Sequence, residues 1–71
     1  MLEKRSFTIA GHRTSVALEP EFWAALVAIA ERGGGTLSRL IVEADLLRPS
    51  GRPLASTLRV LALRDRPNTN C

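Results

Sequence analysis

Aromatic residues are few in this chain of 71, with two phenylalanines, one tryptophan and no tyrosine. Its one cysteine is Cys71, so no internal disulfide can form, and its one histidine, His12, lies too far from it for a metal-ligand spacing. No apolar run approaches the length that spans a bilayer, and the start lacks the basic-then-apolar pattern of a signal peptide. The expectation is a cytoplasmic protein with Cys71 reduced and no cofactor. A nucleophile beside its base, paired carboxylates in a cleft and a metal set are missing too, which argues against an enzyme. A chain this short hides too little surface to be comfortable alone, and with disulfide and metal excluded, oligomerisation remains.

What is present begins with apolar side chains, 45% of the residues, and a formal charge of +3. The charge is unevenly spread. Residues 1–35 balance four basic against four acidic groups, but Lys4, Arg5 and Arg13 precede Glu19 with only Glu3 against them. Residues 36–71 hold six arginines against three acids. A mildly basic leading segment and second half permit an anionic partner, and solubility charge explains them equally well.

The stretch around which the chain is organised is Arg13-Thr14-Ser15-Val16-Ala17-Leu18. Strand alternation puts Thr14, Val16 and Leu18 on a core face and Arg13, Ser15 and Ala17 on the other. A lone strand cannot satisfy its own backbone, so a second local strand or another copy must complete it. Ser6-Phe7-Thr8-Ile9-Ala10 is a second strand candidate with Phe7 and Ile9 inward. Around Gly11 the two runs either fold back as a hairpin or form one bent arm. Residues 1–5 read as a frayed end.

Pro20 suits the first turn of a helix running to about Arg32, with Phe22, Leu26, Ile29 and Ala30 at helical spacing and Trp23 and Val27 beside them. Gly33-Gly34-Gly35 ends it and lacks the residues of a phosphate loop. Thr36 caps a second helix to about Leu47, with Leu37, Leu40, Ile41 and Ala44 on one face. Arg48 to Pro53 is a loop. A third helix runs from Leu54 to about Arg64 through Leu58 and Leu61, with Val60 and Leu63 widening its apolar face, and residues 65–71 read as a loose tail. The whole is one domain, 1–71.

Strand, helix, glycine turn, helix resembles the ribbon-helix-helix family of DNA-binding proteins, to which the Arc and Met repressors belong. Within it, the chain is similar to a small bacterial subfamily through Lys4-Arg5-Ser6, Gly11-His12-Arg13-Thr14-Ser15, Leu18-Glu19-Pro20-Glu21-Phe22-Trp23, Thr36-Leu37-Ser38 and Leu54-Ala55-Ser56-Thr57-Leu58-Arg59. The resemblance implies an α+β, mostly helical fold: an N-terminal strand or hairpin, two core helices and an additional C-terminal helix, in an intertwined homodimer. It further implies a nucleoid-associated transcriptional regulator, such as a repressor, that inserts an antiparallel ribbon into the DNA major groove, which is wide enough to take one.

Carried onto this chain, the base-reading residues are Arg13, Ser15 and Ala17. Arg13 offers a fork to guanine, Ser15 a hydroxyl of either sense, and Ala17 apolar contact to a thymine methyl. If the first run pairs with the second inside one chain, Ser6, Thr8 and Lys4 join the outer face, with Arg5 a further ribbon contact. Thr36, Leu37, Ser38 and Arg39 stand where the family anchors a DNA phosphate, at a helix N-terminus whose amides and dipole suit an anion. Simple capping is an equal explanation for Thr36 and Ser38. The alternative function is a homodimeric protein-interaction module, an antitoxin or adaptor, using the third helix, which could equally just cover the core. His12 reads as a turn residue, Trp23 as core, and Arg59 as a free charge or a partner of Glu43 or Asp45.

Overall fold

Alternating polarity on both sides of a two-residue turn folds the leading segment back on itself. Strand β1 (Glu3–Ile9) pairs antiparallel with β2 (His12–Leu18), from Glu3 opposite Leu18 to Ile9 opposite His12. The computed structural model describes residues 1–65. The tail expected to be loose lies, beyond Asp65, outside the described residues.

At the turn, Ala10 and Gly11 both take positive φ, 52° and 81°. That is the backbone of a two-residue turn whose twist matches the flanking strands. Glycine adopts it freely, whereas alanine does so against its Cβ.

Helix α1 (Pro20–Arg32) starts one residue after β2, with Pro20 at its first turn and the Glu19 carbonyl accepting from the amides of Phe22 and Trp23. It closes by donation from Gly35 N to the Ala30 carbonyl and from Gly34 N to that of Glu31, with Gly34 at φ 76°. This pair of bonds around a left-handed glycine satisfies carbonyls that the helix end would otherwise leave open. Helix α2 (Leu37–Leu47) follows at once, its Thr36 hydroxyl accepting from the Arg39 amide at 3.2 Å. The next loop is pinned by Arg48, which donates to the Asp45 carboxylate and the Arg52 carbonyl. Helix α3 (Leu54–Arg64) completes the fold.

Every element sends a side chain to one core. Leu18 from β2, Trp23 and Leu26 from α1, Ile41 from α2 and Leu58 from α3 are the largest fully buried residues, with Phe7 and Ile9 of β1 beside them. No polar or charged side chain is buried among the described residues. Burying a side chain of this size stabilises by about 1.5–3 kcal/mol, which makes α3 part of the fold and not an appendage.

Three expectations change, and one open choice is decided. The strand begins at Glu3, so only residues 1 and 2 precede it: the indole Nε1 of Trp23 donates to the Glu3 carbonyl at 2.7 Å and ties that end down. Of the two partners left open for β2, a local strand or another copy, β1 of the same chain fills one edge, so the two runs form a hairpin. Leu63 is exposed, because the buried stripe of α3 passes from Leu58 to Ala62. Arg59 pairs with Glu19, since Glu43 is engaged by Arg39 and Asp45 by Arg48.

Candidate nucleic-acid interface

In an antiparallel pair, residues directly opposite share a face. The register therefore sorts the hairpin without ambiguity. Glu3 with Leu18, Arg5 with Val16, Phe7 with Thr14 and Ile9 with His12 form the face toward the helices; Lys4 with Ala17, Ser6 with Ser15 and Thr8 with Arg13 form the outward face. Phe7, Ile9, Val16 and Leu18 are buried, whereas Lys4, Ser6, Thr8, Arg13 and Ser15 are exposed and Ala17 is half-buried. All three of Arg13, Ser15 and Ala17 are thus brought together, with Lys4, Ser6 and Thr8 from the other strand among them.

Charge on this face is of one sign. Its cations are Lys4 and Arg13, it carries no acid, and neither cation is ion-paired within the described residues. They lie at opposite ends, four residues apart along the strands, or about 13 Å. Between them the hydroxyls of Ser6 and Ser15 stand 3.0 Å apart, and either can donate to the other. Small groups at the centre and long cations at the ends leave the middle of the ribbon open to close approach by another surface.

Arg5 belongs to the opposite face. Its guanidinium lies over the Trp23 ring at 5.1 Å and pairs with Glu3 at 2.7 Å. The first strand's alternation carries the signal, because Arg5 shares parity with the inward Phe7 and Ile9. A cation spread on an indole is held by the ring's negative face and is not free to reach outward.

At the start of α2, the capping role of Thr36 is filled by the amide of Arg39. The Arg39 guanidinium points along the helix to Glu43 at 3.4 Å, and Ser38 is exposed. These residues are separate in sequence from the hairpin.

Behind the interface, Arg59 of α3 grips Glu19 through Nε at 3.1 Å and Nη2 at 3.0 Å and sits 5.7 Å from the centre of the Phe22 ring. The Glu19 carboxyl is held below its ordinary value by its own backbone amide and by that guanidinium. This contact ties α3 to the joint between β2 and α1.

A family model described as a ribbon-helix-helix domain matches residues 2–65. The chain belongs to the ribbon-helix-helix family. No curated protein and no solved structure matches it significantly. Ribbon-helix-helix domains are a non-enzymatic DNA-binding fold, and membership carries a DNA-binding or regulatory role at family level; its members typically bind DNA as dimers. Among the described residues no helix is long and apolar enough to cross a membrane, and no group of side chains is arranged to hold a metal ion.

Proposed function

We propose that this ribbon-helix-helix protein is a transcriptional regulator that lays the outward face of its hairpin in the major groove of duplex DNA. The observation that carries the reading is the sorting of the hairpin: one face sealed into the core, the other exposed, cationic at both ends and free of acids. Arg13 is the residue suited to a bidentate contact with guanine, Ser15 and Ser6 offer hydroxyls of either sense, and Ala17 offers a thymine methyl an apolar neighbour. Lys4 and Thr8 reach the groove walls, while the amides of Leu37 and Ser38, with Arg39, take a phosphate.

Titration of fluorescent duplexes tests this. Affinity falls steeply with added salt, and Arg13→Ala weakens binding by about 1–3 kcal/mol while circular dichroism stays unchanged. Failure to bind any duplex at low salt would sink the reading.

A second surface favours an additional partner. Leu46 and Leu47 at the end of α2 are 77% and 82% exposed, and Leu47 borders an apolar groove between α2 and α3 floored by Leu40, Ala44, Val60 and Leu61. The reading is that copies of this chain, or a protein partner of an antitoxin or adaptor, associate through this helical side.

A further inference from the structure

The groove between α2 and α3 has walls of a definite period. Leu40, Ala44 and Leu47 of α2 fall four and then three residues apart, and Thr57, Val60 or Leu61, and Arg64 of α3 keep the same step. Each wall is therefore one face of a helix over two turns, about 10 Å. The space between them is about 400 Å³. Four of its lining residues, Glu43, Leu47, Pro49 and Arg64, are exposed, so a small ligand laid there would keep much of its surface in water, unlike one in an enclosed site. A trough of this length and period suits a third helix laid along it through apolar anchors.

Charge decides which helix. Arg52 precedes α3 and Arg64 ends it, and the 11 residues of α3 put about 16 Å between those ends. Neither arginine is ion-paired among the described residues, and the one acid in the lining, Glu43, is engaged by Arg39 at 3.4 Å. The groove is thus apolar along its floor and cationic near both ends. A second copy meeting it about a two-fold axis would bring the same arginines against this pair, because such an interface uses one patch twice. Residues 66–71 of this chain hold no acidic side chain and no large apolar one to fill it.

We propose that the groove between α2 and α3 takes an acidic amphipathic helix of a protein partner, its apolar side chains seated between Leu47 and Leu61 and its carboxylates paired with Arg52 and Arg64. This rests on the reading above that the helical side is an association surface. Arginine's planar fork takes a carboxylate in two bonds at once, so these pairs set the register of the incoming helix as well as the sign of its charge. The outward face of the hairpin stays free meanwhile, since none of its residues lines the groove.

Selection from a display library of helices tests it. The probe is a helical peptide of about 18 residues, with leucine fixed at i, i+4 and i+7 and the positions before and after that run varied among glutamate, glutamine and lysine. The folded full chain should enrich glutamate over lysine there by about fivefold or more in each round. Charge reversal by Arg52→Glu with Arg64→Glu should turn the preference to lysine, whereas Lys4→Glu with Arg13→Glu, which changes net charge equally, should leave it as it was. Should the reversed chain lose its fold, Arg52→Gln with Arg64→Gln should erase the preference. Leu47→Glu should abolish enrichment while far-ultraviolet circular dichroism matches the wild type. Enrichment that needs Leu47 but ignores the charge changes overturns the proposal and leaves the association reading standing. So does self-association that sedimentation shows to depend on Leu47, where no helix is enriched. With neither enrichment nor such self-association, the reading falls together with the proposal.

Discussion

Arg59 on α3 donates twice to one carboxylate oxygen of Glu19, the residue that closes β2 and opens α1, across 40 positions of sequence. The pair joins the last helix to the hairpin's root. Because the folded carboxyl titrates below the ordinary value of 4.5, held by its own amide and by Arg59, the unfolded chain binds its proton first as pH falls. Stability from this group is therefore complete above the ordinary value and is lost as pH drops through the lowered one. Urea midpoints of wild type against Glu19→Gln should converge in that acid range and separate above it, with the wild type the more stable. Equal separation at every pH would refute the linkage.

Trp23 carries two duties that a smaller aromatic cannot share. It is fully buried, and its N–H is the partner of the Glu3 carbonyl. Trp23→Phe loses both volume and that bond, and a cost of about 2–3 kcal/mol is expected. In a domain of this size that lowers the melting temperature by roughly 10 °C or more, read by far-ultraviolet circular dichroism. A shift of a degree or two would mean that β1 is held by its ladder alone.

Ala10 is the one non-glycine residue at positive φ among those described, and its neighbour Gly11 shares the turn. Asparagine tolerates this conformation better than alanine, and Asn-Gly is the strongest pairing for such a turn. Ala10→Asn should stabilise the protein by about 0.5–1 kcal/mol, visible as a rise of several degrees in thermal melting. No rise, or a fall, would count against strain at this position.

Much of this is legible in the sequence. The alternation of Phe7 and Ile9, and of Val16 and Leu18, defined both strand faces. Pro20, the three glycines and Thr36 marked helix ends that lie within a residue of those observed. What alternation could not decide was which strand partners β2, because a hairpin and a bent arm present the same period. The answer lay in the turn, where Ala10 hides the signal that Asn would have given. Arg59 was similarly opaque. Its partner Glu19 is remote in sequence, and only the packing of Leu58 against the core brings the two together. Because Leu58 and Ala62 belong to the same core, removing α3 is expected to destabilise the whole domain instead of isolating a DNA-binding part.

Lys4 and Arg5 are adjacent cations, yet the hairpin sends them to opposite faces, and this separates two roles that composition merges. Lys4 stands outward beside Ala17, while Arg5 lies on the Trp23 ring and against Glu3. If the outward face meets DNA, Lys4→Ala reduces the slope of log affinity against log salt by about 1, the signature of one lost phosphate contact. Arg5→Ala leaves that slope and the affinity within about twofold, and lowers thermal stability instead through loss of its contact with the indole. Measuring both quantities for both variants makes a double dissociation. Should Arg5→Ala flatten the salt dependence as much as Lys4→Ala, the basic leading segment acts as diffuse charge, and the assignment of a reading face to one side of the hairpin fails.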